Sequence, residues 1–141
     1  MNQAFDLDRF IDAQQGDYAT ALAEIKSGRK RSHWMWYVFP QIAGLGFSAT
    51  SQHFAIRNLA EAKAYLAHPV LGPRLIACAN ALLAHEGRSA HDIFGSPDDM
   101  KLRSSMTLFA QVSPAGSVFQ EVLDKYFDGR PDERTLELVQ G

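Results

Sequence analysis

Residues 28–48, GRKRSHWMWYVFPQIAGLGFS, hold the side chains with the most distinctive chemistry in this chain. With Lys26, the triplet Arg29, Lys30 and Arg31 places four of the 14 lysines and arginines within six positions. Cations beside a helix start would attract phosphate or carboxylate, because the free backbone N–H groups there carry partial positive charge. His33 is the candidate catalytic residue, a general acid or base near neutral pH. Trp34 and Trp36, the two tryptophans of the chain, could flank a planar ligand. Gln41 and Ser48 could orient it as hydrogen-bond donors. Further on, Asp98 and Lys101 share a helical face with Ser105 and are candidates for the opposite wall of the same pocket. Lys101 and Ser105 also have the spacing of a Ser–Lys pair. The candidate ligand-binding residues are therefore Arg29, Lys30, Trp34, Trp36, Gln41, Ser48, Asp98 and Lys101.

Plainer roles compete with each of these. A basic turn can be simply solvated. Two tryptophans in an apolar run can knit a core, with His33 hydrogen-bonded in place. Asp98 and Asp99 have a sufficient role as acids in the first turn of a helix. Several chemistries lack their motif. There is no Gly-x-x-x-x-Gly-Lys-Ser/Thr phosphate loop, no Gly-x-Ser-x-Gly elbow and no Gly-x-Gly-x-x-Gly. His33, His53, His68, His85 and His91 show no metal-binding pair spacing, so neither a metal nor another cofactor is expected.

The elements that must position these residues are helical throughout. Leu7, Phe10 and Ile11 form a stripe in a first helix over 5–15, with Asp6 as N-cap. Asp17 caps a second helix carrying Leu22 and Ile25, and Gly28 closes it. The apolar run 33–39 is either a buried strand or a short buried helix; its helical surroundings favour a helix with Ser32 as N-cap. Phe39 precedes Pro40 and should end it. A glycine loop over 40–50 follows. Ser48 or Ser51 starts a short helix, and Asn58 starts another that closes at His68-Pro69. The strongest helical repeat, carrying Leu71, Leu75, Cys78, Ala79, Leu82 and Leu83, runs from about 70 to 85 and is ended by Gly87. Ser89 opens a short turn ended by Gly95. Ser96-Pro97-Asp98-Asp99 reads as N-cap, N1 proline and first-turn acids of a helix that buries Leu102, Met106 and Phe109 and stops near Pro114. Two more helices carry Phe119, Val122, Leu123 and Tyr126, then Leu136 and Val139. The reading is an all-α fold, one compact domain over 1–141 built as an array of about seven to eight short helices.

Composition agrees. Hydrophobic residues make up 46% and charged residues 21%, enough to fold a core and too apolar for disorder. The net charge of −2 gives no global pull toward nucleic acid or a membrane surface. Cys78 is the single cysteine, which excludes an internal disulfide and suits a reducing, cytoplasmic setting. No apolar run is long enough to span a membrane, and the acidic N-terminus lacks the pattern of a signal peptide.

The long motif Gly28-x-Lys30-x-x-His33-Trp34-Met35-Trp36-Tyr37-x-Phe39-Pro40-Gln41, followed by Gly44-Leu45-Gly46-x-Ser48, closely resembles the signature of a bacterial family of uncharacterised proteins. The likeness continues through Glu61-Ala62-x-x-Tyr65-Leu66-x-His68-Pro69-x-Leu71-Gly72-x-Arg74-Leu75. It resumes at Ile93-Phe94-Gly95-x-Pro97-Asp98-Asp99-x-Lys101-Leu102 and Ser105-Met106-Thr107-Leu108-Phe109. The resemblance implies a predominantly helical domain of this length with no assigned function. Some members carry the label calpastatin, the calpain inhibitor. Such inhibitory segments are disordered and polar, whereas this chain is patterned as a packed domain. The stretch from Ala55-Ile56 to Glu61-Ala62 is also similar to all-helical proteins that process ADP-ribose-like nucleotides.

Two functions from different classes follow. One is a site over 28–48 that binds or acts on an anionic, nucleotide-like small molecule, which requires a concave pocket where the candidates converge. The other is a non-catalytic protein-interaction or regulatory module, which requires an exposed apolar patch of several hundred Å².

Overall fold

Among the described residues, ten short helices are cut by glycines, prolines and capping side chains. The computed structural model describes residues 5–140. Within them run α1 (Asp8–Gln15), α2 (Tyr18–Ser27), α3 (Met35–Val38), α4 (Ala49–His53) and α5 (Leu59–Ala67). These are followed by α6 (Leu71–Leu83), α7 (Ala90–Phe94), α8 (Asp98–Ala110), α9 (Val118–Phe127) and α10 (Glu133–Gln140). The fold is all-α as expected, with more and shorter helices than the seven to eight anticipated. A lone parallel bridge joins Ile42 to Ile56. No single helix among the described residues is long and apolar enough to cross a membrane.

Many boundaries follow from local chemistry. Ser48, Asn58, Ser89 and Ser117 each accept a backbone N–H of the helix they precede. Ser89 and Asp92 complete a reciprocal capping box. Gly28 ends α2 in the left-handed region. Between α5 and α6 the chain bends by 88°. Gly72 permits it, because a Cβ there would lie 2.1 Å from the carbonyl oxygen of Leu66.

Other boundaries differ from the sequence expectation, two of them because a side chain found a partner elsewhere. Leu7, not Asp6, occupies the N-cap position of α1, without a side-chain cap. Asp17 stands at the start of α2 but caps nothing; its carboxylate accepts the Tyr37 hydroxyl instead. Ser32 does not start α3. Both its N–H and its hydroxyl donate to Glu24, and Trp34 takes the position before the helix. At α8 the N-cap position belongs to Pro97, which follows a cis Ser96–Pro97 bond, so Ser96 is not the cap and the proline is not the first helical residue. That helix ends at Ala110, short of Pro114.

α8 is the central element, packed on α5, α7, α9 and α10, while α6 lies against α2, α5 and α9. Every residue from Ser104 to Phe109 is buried. Rings form a chain through the core: Phe10 to Tyr65 at 5.1 Å, Tyr65 to Phe109 at 5.3 Å, Phe109 to Phe119 at 5.8 Å. Edge-on and tilted pairs of this kind add to the stabilisation from burial. Gln14, also buried, donates to the Tyr37 carbonyl at 2.7 Å and the Tyr65 hydroxyl at 3.0 Å, tying α1 to α3 and α5.

Two carboxylates fix the fold around the 28–48 stretch. Glu24 accepts from Arg31 N–H at 2.8 Å, Ser32 N–H at 3.0 Å, the Ser32 hydroxyl at 2.6 Å and the Trp34 indole at 2.8 Å. Burial opposes its charge, but these donors outweigh burial and lower its pKa from 4.5 to about 2. Glu61, fully buried, meets Arg9 at 3.1 Å, and Arg9 also donates to the carbonyls of Asp6, His53 and Ala55. This pair fastens α1 to the segment joining α4 and α5.

Removing either carboxylate should be felt in stability. Glu24→Ala leaves several donors unpaired and should cost about 2–3 kcal/mol in urea unfolding, Glu24→Gln roughly 1 kcal/mol. Because the folded pKa lies below the unfolded one, the contribution of Glu24 is present above pH 4.5 and fades as pH falls toward 2. Stability of the Glu24→Gln variant should therefore depend less on pH in that window; an unchanged acid limb would contradict the assignment. Arg9→Ala strands a buried carboxylate and should cost roughly 3–5 kcal/mol, whereas Arg9→Met with Glu61→Leu should recover much of it. A double variant no more stable than the single one would show that the pair contributes more than mutual charge compensation.

Candidate functional site

The basic triplet leads into the site through Lys30. Its N–H donates to the Ile93 carbonyl at 2.6 Å, pinning the turn to α7. Its ammonium lies 2.9 Å from the Asp98 carboxylate and 5.2 Å from the centre of the Trp34 ring. Asp98 also meets Lys101 at 3.1 Å, and the Lys101 ammonium sits 3.8 Å over Trp36. One carboxylate thus couples two lysines, each stacked on a tryptophan. Burial works against the charge of Asp98, but the two ammonium groups hold its carboxyl below the ordinary range.

Beside this cluster lies a cavity of about 350 Å³. Its walls come from three segments distant in sequence. Trp36 and the loop Gln41–Gly46 form one side, Ser51 to Ala55 of α4 and its exit a second, and Pro97, Met100, Lys101 and Ser104 at the start of α8 the third. Lys101 is the one charged side chain in this lining.

Local geometry explains the shape. Ala43 N–H donates to the Ile56 carbonyl and Ile56 N–H to the Gln41 carbonyl, both at 2.8 Å, so the two walls cannot drift apart at that end. Gly44 adopts a φ of +103°, and a Cβ there would touch Leu138 at 3.0 Å, so α10 closes directly on the loop. Gln52 donates to the Phe47 carbonyl at 3.0 Å, and Ser51 donates to the Ser48 carbonyl at 2.9 Å. Gln41 belongs to the lining, and its side-chain amide has no hydrogen-bond partner among the described residues.

Of the residues singled out by sequence, the structure brings Trp36, Gln41 and Lys101 together in the lining. Asp98 stands behind Lys101 as its charge partner, and Lys30 pairs with the same carboxylate. Trp34 is 1% exposed; its indole is held by Glu24, and it packs edge-on to Phe94. Arg29 and His33 are exposed and outside the lining. His33 precedes α3, so it does not share a helical face with Trp36. Ser48 is occupied as the N-cap of α4 and is also outside the lining. Ser105 forms no pair with Lys101: it is fully buried with its hydroxyl unpartnered, and the lysine is directed to Asp98 and Trp36. Ser104, Met100, Phe54 and Gln52 were missed. For Ser104 and Met100 a signal was present. Both lie on α8 beside Lys101, and Ser104 follows it at the i+3 spacing that places residues on one face. For α4, nothing in local spacing ties it to the tryptophans. Among the described residues no three His, Cys, Asp or Glu side chains are grouped to hold a metal ion.

Comparison with known proteins agrees with this architecture. The chain is similar to a protein from Mycobacterium tuberculosis whose crystal structure is described as that of the conserved hypothetical protein Rv1873. The two share 48% sequence identity and superpose with a TM-score of 0.96 over 99% of each chain. No curated protein matches. A family model described as "Protein of unknown function (DUF1810)" matches residues 4–139, and the chain belongs to that family.

Proposed function

We propose that this protein binds a small organic anion in the cleft between the 41–46 loop, α4 and the start of α8. The observation that carries the reading is Lys101, a lone cation in a cavity of about 350 Å³ whose ammonium is fixed 3.8 Å over Trp36. A pocket of this size, mostly apolar with few convergent polar groups, is what small-ligand sites offer. Lys101 would receive the negative charge, and the free Gln41 amide would supply a directional hydrogen bond. Trp36 and Phe54 would flank the body of the ligand. Because His33 lies outside the lining, the reading is one of binding, with no acid–base step assigned to it.

The same reading places the protein in the cytoplasm. Its support is Cys78, the single cysteine, which is buried and has its thiol pKa pushed up to about 12, first by burial. Such a thiol is protonated and unreactive, and a lone cysteine offers no internal disulfide of the kind found in oxidising compartments.

A thermal-shift screen of the full chain against nucleotides, sugar phosphates and carboxylates tests the proposal. A ligand at 100 times its Kd should raise stability by about 2.7 kcal/mol. Lys101→Gln should abolish the shift, and Trp36→Ala should reduce it. A hit whose affinity is untouched by either substitution would place the site elsewhere.

A further inference from the structure

The cleft is not built to hold a phosphate. Phosphate sites use free backbone N–H groups at helix starts or the double donors of arginine, to which a lysine adds a point charge. Here three amides in the first turn of α8 are already engaged: Asp99 N–H with the Gly95 carbonyl, Met100 and Lys101 N–H with the Pro97 carbonyl. Asp98 and Asp99 add negative charge at the same place. In α4, Ser51 N–H is taken by the Ser48 hydroxyl and Gln52 N–H by the Ser48 carbonyl. The lining contains no arginine.

Charge counting leads to the same end. Lys30, Lys101 and Asp98 are linked directly, two positive charges to one negative, while the Asp99 carboxylate turns away to His91 at 3.5 Å, so the linked cluster sums to plus one. The Lys30 and Asp98 side chains are only 9% and 19% exposed, so little water remains to absorb an imbalance. One anionic charge on Lys101 neutralises the cluster. A second would be left uncompensated close to the Asp98 carboxylate, and like charges at short range in a poorly hydrated site repel.

What remains of the lining is largely apolar, from Ile42, Leu45, Phe54, Pro97 and Met100. The apolar surface continues outward. Met100 is 46% exposed, and Phe47, next to Gly46 of the lining, is 86% exposed. A cavity of 150 Å³ holds a benzene ring, so 350 Å³ corresponds to an organic body of ~14 non-hydrogen atoms.

We infer that the ligand is a monoanion, a monocarboxylate with an apolar or aryl body, and that Asp98 sets this charge limit by balancing Lys30 and Lys101. The inference rests on the cleft being the binding site and narrows its ligand away from nucleotides and sugar phosphates.

The test is isothermal titration of the full chain with a matched pair, 3-phenylpropionate and phenethyl phosphate, alongside AMP. At about pH 7.5 the phosphate monoester is mainly a dianion. The native protein should bind the carboxylate at least about tenfold more tightly than the phosphate. Asp98→Asn raises the cluster to plus two and should shift that ratio about tenfold toward the phosphate, while Lys101→Gln should remove binding of both. Should Asp98→Asn fail to fold, Lys30→Gln serves instead, since it brings the cluster to zero and should weaken the phosphate more than the carboxylate. Tighter phosphate than carboxylate binding, lost in Lys101→Gln, would overturn the ligand class while leaving the cleft as the site. An unchanged ratio in Asp98→Asn would overturn the role of that residue. Binding of neither probe, nor of any anion in the wider screen, would remove both the ligand class and the cleft.

Discussion

The site depends on one carboxylate that it does not contain. Glu24 gathers backbone and side-chain donors from Arg31, Ser32 and Trp34 onto its two oxygens. Charge-assisted bonds of this kind are short and directional. They turn a run of polar and apolar residues just after α2 into a fixed corner. From that corner Trp34 enters the core, Lys30 reaches Asp98, and α3 starts at Met35. Without it the basic triplet would be a solvated turn, and the orientation of the next two aromatic residues would be undefined.

α8 carries the second constraint. Its C-terminal half is core, with Met106, Leu108 and Phe109 all inaccessible. Its N-terminal half is a wall of the cleft. The two roles belong to one rigid element, so the position of Lys101 is set by packing several turns away, not by a mobile loop. Rigid elements of this kind hold a site more closely than loops do. The facing wall is a loop, yet it is held by the Ile42–Ile56 bridge on one side and by Leu138 of α10 against Gly44 on the other.

Much of the helical punctuation was legible in the sequence because it is local. Gly28, Asn58, and Ser89 with Gly95 act within a few residues of themselves, and each stands where its chemistry predicts. Two misplaced caps share a cause: Asp17 and Ser32 were assigned to backbone amides nearby but are used by Tyr37 and Glu24, seen only once the chain has folded. In α8 the core positions Leu102, Met106 and Phe109 were legible, and the buried residues between them were not. Its buried run from Ser104 to Phe109 has little amphipathic pattern to read, because neighbours surround it on most sides. The Arg9–Glu61 pair spans 52 residues and leaves no local trace at either end.

The two tryptophans show how far spacing can mislead about a site. They stand two positions apart, and each carries an ammonium over its ring, yet one is core and the other lines a cavity. The difference lies in what else each ring meets. The Trp34 indole has a buried acceptor in Glu24 and an aromatic neighbour in Phe94, so it gains by turning inward. Trp36 meets Lys101, whose charge must stay near solvent, and it remains partly exposed. Asp98 then distributes the positive charge. It engages Lys30 of the motif that sequence singles out and leaves Lys101, from a helix over 60 residues away, facing the cavity. The candidate stretch supplies the frame of the cleft, and the charge presented to a ligand comes from the other side of the fold.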